Sequence, residues 1–304
     1  MFGAIEAGGT KFVVAVGHIN GPDKPPAIID RAVIPTREPE ETLADVLDFF
    51  RRQSEKRQEA LAALGVASFG PLDLDPKSPT YGAITTTPKL VWRGFPLKKR
   101  LEAALSVPVA IDTDVAGAAL AEATYGAAAG ERDVVYFTVG TGVGVGVLSG
   151  GRIVHGIGHP EFGHLRVRRL PGDDFPGICP YHGDCLEGLA SGPAIRARAG
   201  RPAEALAPDD PAWAPVADAL AEAVAAVVLL LAPAKVILGG GVMKQRHLFP
   251  RIREGVRAKL GGYVAYPALM PGPEGLDAYI VPPGLGDDAG LIGAFELARR
   301  AVAR

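Results

Sequence analysis

FGAIEAGGTKFVVAV (residues 2–16) and DVVYFTVGTGVGVGVL (residues 133–148) are the two stretches that decide the fold. Each reads as strand, glycine turn, strand. Phe2–Ile5 and Phe12–Val16 flank the turn Glu6-Ala7-Gly8-Gly9-Thr10-Lys11, and Asp133–Val139 and Val143–Leu148 flank Gly140-Thr141-Gly142. Short runs of β-branched and small apolar residues bounded by glycine are the signal for paired strands. Meeting the same opening twice predicts a duplicated α/β architecture, two domains with a cleft between them.

The rest of the chain fits that alternation. Ala27–Ile34 reads as a third strand. Glu41–Lys56 has helical periodicity, with Leu43, Val46, Leu47 and Phe50 on one face. Leu64–Phe69 and Val107–Ile111 are short buried strands, and Pro96–Leu105 and the Ala-rich Asp114–Gly126 are helices. In the second half, 211–231 is a long apolar helix and Lys235–Leu238 a buried strand. Arg246–Leu260 is helical, Ala278–Val281 a strand, and the chain closes on a helix over 287–304. The expected domains are 1–115, joined by that last helix, and 116–286, which carries a metal-binding segment over 155–187.

Composition excludes several classes. The 304 residues carry 32 basic and 34 acidic side chains, a net charge of −2, which gives no electrostatic footprint for nucleic acid. Two cysteines, Cys179 and Cys185, exclude a disulfide framework and fit a reducing compartment. The opening MFGAIEAGGTKF has no basic stretch followed by an apolar run, so no signal peptide is read. The longest apolar run, Ala223–Ala232, ends at Pro233 and is about half the ~20 residues a membrane span requires. A cytoplasmic protein without a membrane partner is expected.

Three glycine clusters follow strands: Gly8-Gly9-Thr10, Gly140-Thr141-Gly142-Val143-Gly144 and Gly239-Gly240-Gly241. Glycine lets backbone N–H groups approach an anion closely, and Thr10, Thr141 and Lys11 add hydroxyl donors and a charge. One such cluster would be an ordinary turn; three after strands point to phosphate. None has the spacing of a P-loop or of a Rossmann turn. Ile111-Asp112-Thr113-Asp114 ends a strand and opens a helix, where a carboxylate can serve as a general base or merely cap the helix. The pattern alone does not choose between Asp112 and Asp114.

His155, His159, His164, Cys179, His182 and Cys185 fall within 31 positions, four of the six histidines and both cysteines. Cys179-x2-His182-x2-Cys185, preceded by His164, supplies the four nitrogen and sulfur ligands that a closed Zn²⁺ site uses. The stretch PGDDFPGICPYHGDC (171–185) has no apolar periodicity and would take its stability from the metal. His155 and His159 are read as turn or cleft-wall residues.

Together these segments resemble the ROK family of sugar kinases, over nearly the whole chain. Glu6–Lys11 and Thr138–Gly142 look like the family's two phosphate segments, and Lys235–Val242 like its adenosine-side segment. The subgroup most similar is the bacterial ROK fructokinases, whose Cys-Pro-Tyr-His-Gly-Asp-Cys segment is present as Cys179 to Cys185. The resemblance implies a two-domain actin/hexokinase-like (ribonuclease H-like) fold and an ATP:hexose 6-phosphotransferase making fructose 6-phosphate. It also implies ATP, Mg²⁺ and structural Zn²⁺, and a homodimer.

It further implies roles. Gly9, Thr10, Lys11, Gly140, Thr141 and Gly142 would hold ATP's phosphates. Pro193, Gly239, Gly240, Gly241, Val242 and Met243 would lie at its base and ribose. The family's Asn-Asp-Ala-Asn is similar to Thr113-Asp114-Val115-Ala116, which makes Asp114 the catalytic base, with Thr113 still able to reach a sugar and Ala116 not. Glu161 and His164 match the family's Glu-x-Gly-His, and Glu187 its second sugar-binding glutamate. Thr87 belongs to a Thr-Pro segment lining the sugar cleft, where Lys89 is more like fructokinases than glucokinases; Trp92 beside it suits packing better than a sugar platform. Glu6 stands where such kinases usually have Asp toward Mg²⁺–ATP. Other hexoses (mannose, glucose, N-acetylmannosamine) are the alternative substrates. A sugar-responsive ROK regulator would need a helix-turn-helix before Glu6, for which the sequence has no room.

Overall fold

A computed structural model describes residues 1–302. The first strand–turn–strand is β1 (Phe2–Ala7) and β2 (Lys11–His18), antiparallel with Ala7 opposite Phe12. Next come β3 (Ala27–Pro35), α1 (Pro39–Arg57), β4 (Ala63–Ser68), α2 (Leu97–Leu105), β5 (Val109–Thr113) and α3 (Asp114–Tyr125). Their sheet has the order β3-β2-β1-β4-β5, with β4 parallel to both β1 and β5. Helix α1 starts with proline at its first turn, acids Glu40 and Glu41 behind it, and Lys56 and Arg57 in its last turn, each end matched to the helix dipole. Its face Leu43, Val46 and Phe50 joins Ile5, Phe12, Val14, Leu64, Val66 and Leu101 in one core. Trp92 sits in that core, its ring against Phe12, Phe69 and Phe95 and its indole N–H donating to the Arg37 carbonyl at 2.9 Å. It is a packing residue.

The second opening is β6 (Val134–Val139) and β7 (Val143–Ser149), followed by β8 (Arg152–Ile153), α4 (Leu186–Ala190), α5 (Gly192–Ala199) and α6 (Trp213–Leu231). Then come β9 (Lys235–Gly239), α7 (Leu248–Leu260), α8 (Leu276–Tyr279) and β10 (Ile280–Val281). The sheet order is β10-β9-β6-β7-β8, with β9 parallel to β6 and β10 parallel to β9. Both sheets therefore have the order 3-2-1-4-5 counted from their own first strand, the duplication the sequence predicted. Helix α6 is long and apolar enough to cross a bilayer, but Val216, Leu220, Val224 and Val227 are buried against neighbours that include α7.

The last helix, α9 (Ala289–Val302), covers the other face of the first sheet. Leu291, Ala294 and Phe295 pack on Ala4, Ala15 and Ala67. It crosses α3 at glycines: a Cβ on Gly293 would lie 2.1 Å from the Gly117 carbonyl oxygen, so the two backbones touch. The chain accordingly divides into two compact units. One holds Met1–Gly130, Ile153–Pro160 and the stretch from Asp287 onward; the other holds Glu131–Arg152 and Glu161–Gly286. The boundary falls past 115 because α3 packs on α9 and β4. Residues 155–160 of the expected metal segment group with the first unit, not the second. The expected closing helix begins at Ala289, after a 3-10 turn over Gly286–Asp288, and positions 303 and 304 lie outside the described residues. The expected strand Ala278–Val281 shrinks to Ile280–Val281, because Gly275 opens a helical turn that uses the two residues before it.

Candidate active site and metal centre

In the first sheet Ala7, Ser68 and Thr113 lie side by side at the carboxyl ends of three parallel strands. Chain leaving such ends is where open α/β sheets collect ligands. Here it is the Gly8–Thr10 turn, the Phe69–Pro71 segment and Asp114. The turn is fixed by Gly8 N–H donating to the Lys11 carbonyl (2.9 Å), the Thr36 hydroxyl donating to the Gly8 carbonyl (2.7 Å) and Thr36 N–H donating to the Thr10 carbonyl (3.0 Å). Thr10 and Lys11 stay exposed. A Cβ on Gly9 would lie 3.4 Å from Lys89 Cε, so a second lysine runs alongside the turn.

Thr113 is the N-cap of α3, its hydroxyl accepting from Ala116 N–H at 3.2 Å. Asp114 is the helix's first residue, with Oδ1 accepting its neighbour's N–H at 2.9 Å. Of the two acids that the pattern left open, Asp112 is 3 % exposed and Asp114 is half-buried at the helix start. Glu6 carries a carboxyl pushed up to about 7, first by burial and then by Asp114, Asp288 and Asp287, with Lys11 opposing. Thr87 is buried, and its hydroxyl accepts Lys89 N–H at 3.2 Å, so it shapes this loop from within.

In the second unit the Gly140–Gly142 turn is closed by Gly140 N–H to the Gly142 carbonyl (2.9 Å) and tied to the start of α5 by Gly192 N–H to the Gly140 carbonyl (2.7 Å). Pro193, next in that helix, is exposed. Glu187 reaches the same turn: its Oε2 accepts Val143 N–H at 3.0 Å and would lie 2.6 Å from a Cβ on Gly142. Thr138 pairs with Gly239, which brings Gly239–Gly241 to the same sheet edge. Gly240 has φ +88°, and a Cβ there would meet the Val139 backbone at 2.5–2.7 Å, so packing already demands glycine. Val242 and Met243 open the 3-10 turn that follows, with their side chains buried. The Glu161 carboxyl is raised by loss of surrounding water and by Glu187, against His164, although the residue keeps an exposed edge.

His164, Cys179, His182 and Cys185 come together, their ligand atoms all within 4.8 Å of one another. Cys179 and Gly183 exchange both backbone hydrogen bonds, at 3.1 and 2.9 Å, which closes the loop that carries His182. Leu186 N–H donates to the Leu165 carbonyl at 2.9 Å and fastens the start of α4 to the 3-10 turn holding His164. Cys179 Sγ lies 3.7 Å from the Nδ1 atoms of His164 and His182, and Cys185 Sγ 3.6 Å from His164 Nδ1. Tetrahedral zinc with sulfur at ~2.3 Å and nitrogen at ~2.05 Å sets sulfur–nitrogen edges of about 3.6 Å, so the four side chains fit such an ion. Burial pushes the Cys185 thiol up to about 11.

Two histidines outside this cluster make contacts that the sequence did not disclose: His155 meets Asp112, and His159 meets Leu72. No spacing signal could have found them, because the partners are 43 and 87 positions away.

The ROK family model matches residues 2–301. The chain is 45 % identical over 302 residues to the fructokinase of Pediococcus pentosaceus, covering 99 % of both chains. It is 43 % identical over 303 residues to the fructokinase of Zymomonas mobilis, covering 98 % of this chain and 96 % of that one. The crystal structure of the ROK hexokinase from Thermus thermophilus superimposes with a TM-score of 0.77 at 29 % identity, covering 99 % of both chains. Sheet order and these likenesses agree: the chain belongs to the ROK family and has its two-domain actin-like fold.

Proposed function

We propose that this protein is an ATP-dependent fructokinase that transfers the γ-phosphoryl group to the 6-hydroxyl of D-fructose. The observation that carries the reading is 45 % identity to a fructokinase along 99 % of both chains, joined to an acid at the start of α3 beside a phosphate-type turn. Asp114 accepts the 6-hydroxyl proton as that oxygen attacks phosphorus; the bond from the γ-phosphorus to its bridging oxygen breaks, and ADP leaves. Backbone N–H groups of Gly9, Gly140 and Gly142, the hydroxyls of Thr10 and Thr141, and Lys11 hold the phosphates. Pro193 and the backbone of Gly239–Met243 flank the adenosine. Glu161, Glu187, His164 and Thr113 take the sugar hydroxyls, since each carboxylate accepts several hydrogen bonds, and Thr87 shapes the loop beside them. Mg²⁺ would supply charge neutralisation of the phosphates, with Glu6, on the strand before the first turn, as the acid that would be directed toward it. His164, Cys179, His182 and Cys185 would hold Zn²⁺, which would give rigidity to the segments that carry Glu161 and Glu187. The protein acts in the cytoplasm as a homodimer.

ADP release is measured with ATP, Mg²⁺ and each of fructose, mannose, glucose and N-acetylmannosamine, with zinc content determined on the same sample. The expected result is the highest kcat/KM on fructose with about one zinc per chain. No sugar-dependent ADP release from a folded, zinc-loaded sample refutes the kinase reading, and a faster rate on another of the four sugars moves the substrate to that hexose.

A further inference from the structure

We propose that His155 and His159 are positioning residues. They pin residues 153–160 as a strap onto the carboxyl end of the first sheet, and so set the point from which the sugar-side Glu161 departs. The proposal rests on the roles given above to Asp114 and Glu161. After β8 the chain joins the first unit for Ile153–Pro160 only, and the next residue is Glu161. Apolar burial does not hold the strap's tip: Gly156 and Ile157 are exposed, Ile157 fully so. Gly156 N–H donates to the Gly158 carbonyl at 2.8 Å, which makes the tip a tight turn with a histidine on either side.

Each histidine has its own anchor. His155 Nε2 lies 3.0 Å from Asp112 Oδ2 and 3.2 Å from Oδ1. Asp112 is a buried carboxylate that the phosphoryl transfer does not use, and its Oδ1 also accepts Thr113 N–H at 2.9 Å. A buried carboxylate needs a partner, and the strap supplies one. The bond to Asp112 holds the His155 imidazole above its ordinary pKa, which favours the charged, donating form. His159 does the opposite. Burial lowers its pKa, and its Nε2 accepts Leu72 N–H at 3.0 Å, a role that only the neutral ring can fill. Its ring would lie 3.4 Å from a Cβ on Gly70, so it rests against the Gly70–Leu72 segment. The strap thus grips two strand exits, those of β4 and β5, and Asp112 is two residues before Asp114.

The test uses full-length protein carrying His155→Ala, His155→Gln, Asp112→Asn or His159→Ala, with KM read separately for fructose and ATP. His155→Ala should raise the fructose KM about tenfold, as loss of a partner that orients a binding group does, and leave the ATP KM within about twofold. His155→Gln keeps an N–H donor and should recover most of that loss. Asp112→Asn combined with His155→Ala should be no worse than His155→Ala alone. Hydrogen exchange of amides 153–159 should quicken in His155→Ala and His159→Ala, a reading that needs no activity. An unchanged fructose KM in His155→Ala, KM values for both substrates rising together with a fall in Tm, or unchanged exchange in the strap each overturns the proposal. If the parent enzyme fails on all sugars, the function reading fails, and the exchange measurement still decides whether the strap is pinned.

Discussion

The two glycine turns share a sequence pattern and a place in their sheets, yet they are braced by different chemistry. Gly8–Thr10 is tied by the Thr36 hydroxyl and backbone, has Lys11 at its end and Lys89 alongside, and faces the acids Glu6 and Asp114. Gly140–Gly142 contains no basic residue; it is tied by Gly192 N–H, and the Glu187 carboxylate binds the N–H that follows it. Duplication supplied the backbone of both turns. What distinguishes them comes partly from within the repeat, Glu6 and Lys11, and partly from outside it: Lys89 from the loop before α2, Asp114 from the start of α3, and Glu187 from the segment that also holds Cys185. In the proposed reaction the first turn would therefore serve proton transfer and the second would couple to the Cys/His loop.

The largest effect expected from that division is on Asp114. Asp114→Asn keeps the N-terminal helical residue and its shape but removes the proton acceptor, so kcat should fall by at least ~10²-fold with the melting temperature little changed. A variant with near-parental turnover breaks the assignment of chemistry to the first unit. On the second unit the corresponding blow is structural. Cys185→Ser removes one of the four side chains proposed to hold zinc, and Tm should fall by about 10 °C with loss of bound zinc. Metal analysis and a melting curve check it; unchanged zinc stoichiometry would show that the cluster is not the site.

The same division explains what was legible in the sequence. Strand, turn and helix types were readable because Phe2–Val16 and Asp133–Leu148 follow local rules of spacing and glycine placement. The cluster of His164, Cys179, His182 and Cys185 was readable because three of the four lie within seven consecutive residues, Cys179 to Cys185. Local spacing carries no information about Asp112 with His155, or Glu187 with Val143, since those pairs form only when distant segments meet. Val242 and Met243 follow a glycine cluster on a 3-10 turn with their side chains buried, a burial that local spacing does not disclose.

A pair of variants at Glu187 sharpens the contrast between the turns. Gln keeps an oxygen that can accept Val143 N–H and loses only the charge; Ala loses both. If one carboxylate serves the sugar and the turn, Glu187→Gln should raise the fructose KM about tenfold and leave the ATP KM nearly constant, whereas Glu187→Ala should raise both. Equal ATP KM values for Gln and Ala would mean that the second turn does not depend on this bond.

The smallest effect, and the one most particular to the first turn, is the pH dependence set by Glu6. Its carboxyl has an ordinary value of 4.5 and is held at about 7 in the folded protein, chiefly by burial. The folded state therefore binds this proton more tightly than the unfolded chain does. Stability is lost as pH rises from about 4.5 to 7, and the whole cost remains above that range. Glu6→Gln cannot ionise, so it should melt above the parent by about 3–8 °C at pH 8 and lose that advantage as pH falls toward 4.5. Its KM for Mg²⁺–ATP should rise in the same samples, because the charge that destabilises the free protein is the one a cation at the phosphates would offset. A melting difference that is flat with pH would mean that Glu6 keeps its ordinary affinity for protons. The first turn would then be no more strained by its acids than the second, whose Glu187 already spends its charge on a backbone N–H.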